Sequence, residues 1–447
     1  MSRSMVGVDI GSHSIKVVEI KRAKDKFKLV GFGVVPTPKG AVTGGAIADP
    51  EAVASALREA LREAGIKGRK VVSALHAQQG MVIRVLEGLP KMTEKELREA
   101  MRWEVERHVP FAAENVVMDY ALLPAPPDAQ NIEVLLAVAQ EDLVNEHLKA
   151  LSGARLKPVA IDIVPLASVR AVSALNGKPA SGAMVVVNIG ASASEITIVQ
   201  NEAIKVTRTV PIGGETFTKA IADALSVEME EAERLKLTEA EAPPEPITGA
   251  GAMEAEAVEE APPAEEPKAP EEKPPVELRE EEEGMPVIEL PTEGEEGAPI
   301  PGLDAGPKEA PPEEASHLVS PEIEVNLPFD IPPPLGERAV ALAGRKGEVC
   351  EAIIGVLADL VTEVRRSTEY FRTRSPDVEI ERIVLIGGGA KLKNIEKLME
   401  AETGIPAEVA NPFERLDISG TSLDRNWLAG MGPVGAVAVG LALRELI

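Results

Sequence analysis

The sequence predicts an α/β protein of two similar lobes facing each other across a cleft, and three segments predict it. The first is Val6 to Lys21, VGVDIGSHSIKVVEIK, an apolar strand that enters a short Gly/Ser turn and returns as a second strand. The second is Ala183 to Val199, AMVVVNIGASASEITIV, which repeats the pattern with Asn188-Ile189-Gly190 where Asp9-Ile10-Gly11 stood. The third is Ile380 to Leu392, IERIVLIGGGAKL, a buried-type strand that ends in Gly387, Gly388, Gly389 and Ala390.

The residue types of each turn carry chemistry. Small residues let a turn gather several backbone N–H groups into one concavity, which suits a polyphosphate. In the first hairpin these are Gly11, Ser12, His13 and Ser14; in the second they are Gly190, Ala191 and Ser192. Asp9 ends the first strand, where a carboxylate can hold Mg2+ through water, because that ion keeps most of its hydration shell. Lys16, two residues past the turn, reaches the same phosphates. Taken alone, the first segment is equally an ordinary hairpin with a solvent-facing Asp; the second copy is what favours a nucleotide between two lobes. Glycines at 387–389 let the backbone approach a flat base or ribose closely.

Met5 to Pro36 reads as three antiparallel strands. Asp49 caps a helix to Ala64, with Val53, Leu57 and Leu61 spaced four apart on one face. Strands follow at Lys70–Leu75 and Met81–Leu86. Thr93 to His108 is a helix opened by a capping box, Thr93 with Glu96, and striped by Leu97, Met101, Val105 and Val109. Trp103 lies off that stripe and is expected to pack within its own domain. Strands at Val116–Leu123 and Glu133–Ala139, a helix at Glu141–Gly153, a strand at Val159–Ile163 and a helix at Pro165–Leu175 complete the first half.

The second lobe begins at Ala183 and continues through a strand at Ile204–Val210 and helices at Glu215–Leu225 and Glu228–Leu237. Order resumes at Arg338–Arg374, a long helix whose apolar face is Val349, Ile353, Leu357, Leu360 and Val364. A helix at Asn394–Thr403, a strand at Ala407–Val409 and a small-residue helix from Pro433 to Leu446, packing back on the first lobe, close the pattern. The domain reading is therefore 1–182 for the first lobe with a small subdomain at about 76–158. The second lobe takes 183–238 and 337–447, and an acidic Pro-rich loop occupies 239–336.

That loop holds the charge. From Glu239 to Leu335 there are 27 Asp/Glu against 4 Lys/Arg and 21 of the 37 prolines, so −23 of the net −26 falls there. Such a segment buries too little apolar area to offset its ordering entropy and is expected to be disordered. The nearly neutral remainder lacks the basic field that nucleic acid requires. A single cysteine, Cys350, excludes an internal disulfide and fits a reducing compartment. The first strand starts too early for a signal peptide, and Asn426–Leu443, broken by Pro433 and several glycines, is not expected to span a membrane.

With these segments in order the chain resembles the actin-like ATPase superfamily, and within it the type IV pilus assembly (PilM) family, a relative of the cell-division protein FtsA. The likeness rests on DIGSHSIKVVEI, on Leu89 to Tyr120, on Pro211-Ile212-Gly213-Gly214, on Arg366 to Phe371, on LIGGGAKL, on Asn411-Pro412-Phe413 and on GLALREL. It implies an actin-like fold with an FtsA/PilM-type subdomain, binding of ATP with Mg2+, and Gly213, Gly214, Glu233 and Lys236 beside the nucleoside. The resemblance also implies a cytoplasmic scaffold at the inner face of the membrane. It would be attached through the cytoplasmic tail of PilN and other platform proteins, with the pilus motor ATPase or further copies of itself as additional partners. The superfamily's second hairpin usually begins with Asp. Asn188 stands there, and with no second acid evident as a base, hydrolysis is expected to be slow or absent and a sugar or acetate kinase is disfavoured. An FtsA-like filament protein is the alternative. A type II secretion relative would continue into a membrane span. Within the loop, Ile323 to Phe329 is similar to the PilN tail motif; a Pro-rich loop produces Asn-Leu-Pro readily by chance, and the alternative is that the loop occupies the tail's groove and competes for it.

Overall fold

In the computed structural model, residues 3–24, 26–76, 80–109, 115–124, 130–175, 182–247 and 335–447 are described. They form one compact unit; Met253–Pro333 is a separate unit outside the described residues, and with it the Ile323 to Phe329 motif and nearly all of the acidic loop.

The first lobe starts with β1 (Ser4–Ile10), β2 (Ser14–Ala23) and β3 (Lys26–Pro36), an antiparallel meander with Asp9 opposite Lys16. A minimal hairpin, β4 (Val42–Thr43) and β5 (Ala46–Ile47), leads to α1 (Pro50–Glu63). The Asp49 carboxylate accepts from the N–H groups of Glu51 and Ala52 at 3.1 and 3.0 Å, satisfying donors that a helix start leaves open. Strand β6 (Lys70–Leu75) runs parallel to β1. Next come β7 (Met81–Pro90), α2 (Glu94–His108), β8 (Val116–Leu122) and β9 (Asn131–Gln140), an inserted three-stranded sheet in the order β7-β9-β8 with α2 on one face. Helix α3 (Glu141–Gly153), β10 (Lys157–Ile163) and α4 (Val164–Leu175) complete the lobe.

The second lobe repeats the plan: β11 (Ala183–Ile189), β12 (Ser194–Gln200), β13 (Ala203–Val210), α5 (Gly214–Leu225), α6 (Met229–Glu239) and α7 (Leu335–Arg374). Then follow β14 (Ile380–Ile386), α8 (Ile395–Thr403), β15 (Ala407–Val409) and α9 (Arg425–Leu443). The two large sheets have the same order, β3-β2-β1-β6-β10 and β13-β12-β11-β14-β15, each a hairpin meander extended by two parallel strands. All five positions expected on the apolar face of α7 are buried.

Four sequence expectations are corrected. Helix α3, assigned above to the small subdomain, instead joins α1 in one core through Ala150 and Leu151, so the inserted unit ends near β9. Residues 239–247, assigned to the loop, are ordered. Ala240 and Ala242 are buried, Glu241 bonds Lys346 and Lys393 at 2.8 and 2.5 Å, and Ile247 N–H donates to Glu402. Helix α9 begins at Arg425, eight residues before Pro433, because Asp424 caps it by accepting from the Trp427 N–H at 2.8 Å. Trp103 is 72% exposed, so most of the side chain is not packed within its own domain.

Among the described residues, α9 is the one helix long and apolar enough to cross a membrane, yet most of it is buried inside the protein as a core element. Its small residues make that possible. A Cβ on Gly440 would lie 1.8 Å from the Ala167 carbonyl oxygen of α4, and one on Gly7 of β1 would lie 1.9 Å from that of Ala438. Gly440→Ala should therefore lose about 1–3 kcal/mol of stability through overpacking. Gly430→Ala, on the exposed face of the same helix with no atom within 4 Å of its Cβ, should gain about 0.5–1 kcal/mol. Urea denaturation of both variants checks the contrast.

Candidate functional site

A cavity of about 620 Å3 opens between the ends of the two large sheets, and both hairpin turns project into it. The turns are built alike: Gly11 N–H donates to the Ser14 carbonyl at 3.2 Å, and Gly190 N–H to the Ala193 carbonyl at 3.0 Å. Thr37 pins the first turn, its hydroxyl donating to Gly11 O at 2.7 Å and its N–H to His13 O at 3.0 Å. The second is pinned by Gly214 N–H to Gly190 O at 2.9 Å and Glu215 N–H to Ala191 O at 2.8 Å. None of these bonds uses the N–H groups of Ser12, His13 or Ala191. The turns meet tip to tip, Ser12 Oγ lying 3.2 Å from Ser192 Oγ.

Charge is concentrated just behind the turns. Asp9 is buried, with Lys16 Nζ 3.2 Å from Oδ2 and His76 Nε2 3.3 Å from Oδ1. Burial alone would raise the Asp9 pKa, but the Lys16 ammonium and the His76 ring hold the carboxyl far below the usual carboxylate range. Burial also works to lower the His76 pKa; the bond to Asp9 and the charges of Asp9 and Glu195 outweigh it and raise it. In the second hairpin the equivalent cross-strand pair is Asn188 and Glu195, both buried, with Asn188 Nδ2 donating to Glu195 Oε2 at 2.9 Å. Glu195 corrects the expectation that no second acid is available. The signal was in the sequence, because Lys16 is seven residues past Asp9 and Glu195 seven past Asn188.

The glycine loop after β14 divides by role. Gly387 has φ +88°, and a Cβ there would lie 2.4 Å from Ile189 O; one on Gly389 would lie 2.1 Å from Ile189 Cγ2. Both are glycines because the loop presses on the second hairpin, while Gly388, with nothing within 4 Å, is open. Ala390 is buried in the core of the second lobe and does not line the cavity. Gly213 also stands behind the wall, packed on Ala191, and Gly214 reaches the cavity. Glu233 and Lys236 line it. Lys236 Nζ donates to Glu233 at 2.6 Å, to Thr218 Oγ1 at 2.8 Å and to Gly214 O at 3.0 Å, so the pair braces the α5 start against α6. Burial would raise the Glu233 pKa, but Lys236 and Thr218 keep it low.

Beneath Asp9 runs a buried relay that the sequence did not disclose. Ser73 Oγ donates to Val8 O at 2.7 Å and lies 2.8 Å from His147 Nε2. A hydroxyl has one proton, so His147 carries its own on Nε2 and donates to Ser73. No group of three or more His, Cys, Asp or Glu gathers as a metal cage among the described residues. Asp9 and Glu195 instead offer one carboxylate from each lobe, a donor set that fits a Mg2+ keeping most of its water.

A family model described as type IV pilus assembly protein PilM matches residues 7–245, more than half of the chain. The chain belongs to the PilM family. A solved PilM-PilN type IV pilus biogenesis complex superposes with a TM-score of 0.69 at 26% identity, over 99% of this chain and 98% of that one, and the fold is the actin-like one. A model of the cell division protein FtsA matches residues 185–423. FtsA of Bacillus subtilis (strain 168) is 24% identical over 255 residues, 52% of this chain and 57% of the relative. FtsA of Neisseria meningitidis serogroup B is 25% identical over 254 residues, 52% and 60% respectively. The matches thus span less than two thirds of these curated relatives.

Burial, helped by the nearby His76 charge, pushes the His147 pKa from 6.5 down to about 4. The unfolded chain takes up this proton below about 6.5, the folded one only near 4, so the contribution is complete above pH 6.5 and lost as pH falls between those values. Its full size is about 3 kcal/mol. His147→Gln should flatten this part of the profile, read from urea denaturation between pH 7 and pH 4.

Proposed function

We propose that this PilM-family chain is a nucleotide-gated scaffold of type IV pilus assembly that takes ATP with Mg2+ in the cavity. The observation that carries the reading is the pair of matching turns, tip to tip at Ser12 and Ser192, backed by one carboxylate from each lobe. The cavity volume lies in the range of small-molecule sites, about 300–1,000 Å3. Turn amides at 12–13 and 191–192 would hold phosphate oxygens, Lys16 would offset their charge, and Asp9 would orient metal-bound water. Gly388 leaves room for the nucleoside beside Glu233 and Lys236. A ligand that touches both turns favours one angle between the lobes, and so acts as a conformational signal.

For the partner, the reading is the cytoplasmic tail of a PilN-type protein, with the chain at the inner face of the membrane. Edge strand β8 supports it: Val117 and Leu122 are 46% and 59% exposed on a strand with one free side, a surface suited to an added apolar peptide. Matching of the FtsA model over the second lobe favours a filament-forming role as the second reading, which sedimentation with and without nucleotide would reveal.

Calorimetric titration with ATP, ADP and a non-hydrolysable analogue, with and without Mg2+, tests the cavity. Binding should be saturable and metal-dependent, and about tenfold weaker or worse in Asp9→Asn. Affinity for a PilN tail peptide should differ between the ATP and ADP states; no nucleotide binding would leave the fold a passive adaptor.

Hydrolysis now has a candidate base. If phosphate release is measurable, Glu195→Gln should slow it by about 100-fold or more at saturating nucleotide and Mg2+. An unchanged rate would remove Glu195 from the chemistry.

A further inference from the structure

The inserted sheet has a second free edge, β7, opposite β8. It lies beside β13, the free edge of the second-lobe sheet, and between them is a separate cavity of about 460 Å3. Its walls carry Arg84 from β7, Lys205 and Arg208 from β13, and Arg366, Tyr370 and Arg374 from the end of α7. The carboxylates that meet these cations are fewer. Lys205 bonds Glu133 at 2.6 Å, Arg374 bonds Glu87, and Arg208 and Arg366 share Glu363 at 2.8 Å each. Arg84 is exposed and pairs with no carboxylate among the described residues. Five cations thus stand against three anions.

We propose that this groove is a docking site for an extended acidic segment of a partner protein. Its cations already accept carboxylates presented from strands, Glu87 on β7 and Glu133 on β9, which is the geometry such a segment would offer. Arg208, Arg366 and Arg374 are 47%, 62% and 46% exposed. Cations spread and exposed in this way suit several carboxylates along a chain, whereas a small anion calls for a few converging, buried donors. Tyr370, 51% exposed with the Arg374 guanidinium 5.2 Å over its ring, adds an apolar face to the same wall. The site is distinct from the β8 edge and from the nucleotide cavity, and it does not depend on either being occupied.

The test is fluorescence anisotropy on the full chain with a labelled peptide of about ten alternating Glu and Val residues, a typical strand length or slightly more. Its Lys-for-Glu counterpart and tripolyphosphate are run beside it. Saturable binding of the Glu peptide alone is expected, weakening about tenfold or more between about 50 and 300 mM salt. The double variant Arg84→Glu/Arg366→Glu should lose at least about tenfold in affinity, and Arg84→Lys/Arg366→Lys should retain most of it. Both variants should melt like the parent, since the two side chains are at the surface. Absence of saturable binding overturns the proposal, as does binding indifferent to charge reversal. Variant-sensitive binding of tripolyphosphate without the peptide overturns it in favour of a small-anion site.

Discussion

The close approach of α9 to its neighbours is the constraint on which the site depends. Helices seat at a distance set by the side chains between them, and here those side chains are absent: Gly7, Gly435 and Gly440 each face an atom that a Cβ would strike. The same helix is packed in a core that takes residues from both large sheets, Val18 and Val72 from one and Val186 and Val384 from the other. The Pro433 carbonyl accepts from the Gly387 N–H at 2.8 Å. One helix therefore holds β1, which carries Asp9 next to its last residue, and the glycine loop that follows β14. A shift of α9 would move both walls of the cavity at once.

Around that frame, the two hairpins share a backbone and differ in charge. Burying an ion is costly unless it is paired and hydrogen-bonded, and the first hairpin meets this with Lys16 directly across the strand and His76 just past β6. The second has an amide facing a carboxylate, and its buried charge also acts on the first lobe, where it helps raise the His76 pKa. The two lobes thus present different charge to the gap: the Asp9–Lys16 ion pair on one side, a hydrogen-bonded carboxylate on the other. On the function proposed above, a polyphosphate would meet Lys16 and its metal would meet Asp9.

How legible this was depended on how local the signal is. Strand–turn–strand repetition, the capping box at Thr93 and the stripe of α7 are read from neighbours in sequence, and the structure has each of them. The turn residues were found for the same reason. Glu195 was missed because the eye follows the strand that ends at the turn, whereas register places the functional partner on the returning strand. His76, Ser73 and His147 come from segments up to 74 residues apart and share no motif; parallel pairing of β6 with β1 places Ser73 and His76, and packing of α3 places His147. Composition misled at 239–247: these residues have the chemistry of the acidic segment, yet Ala240 and Ala242 are small enough to be buried beside α7 and α8, and Glu241 finds two lysines. Helix α3 was misassigned because its own periodicity does not say which neighbour its apolar face will meet.

The inserted subdomain is attached by two joints of different physics. Toward the first lobe its sheet contributes Met81, Leu135 and Ala139 to the main core, an apolar contact with no preferred sign of charge and little response to salt. Toward the second lobe it is held by Glu133 to Lys205 and Glu87 to Arg374, partly exposed ion pairs worth about 0–1 kcal/mol each and screened by salt. A change in the angle between the lobes would therefore release the polar joint and leave the apolar one intact. The subdomain then travels with the first lobe, and the two edges it carries change their surroundings to different degrees: β8 keeps its neighbours, while β7 moves relative to β13. A ligand in the central cavity, by choosing the lobe angle, would reach the β7 edge more directly than the β8 edge.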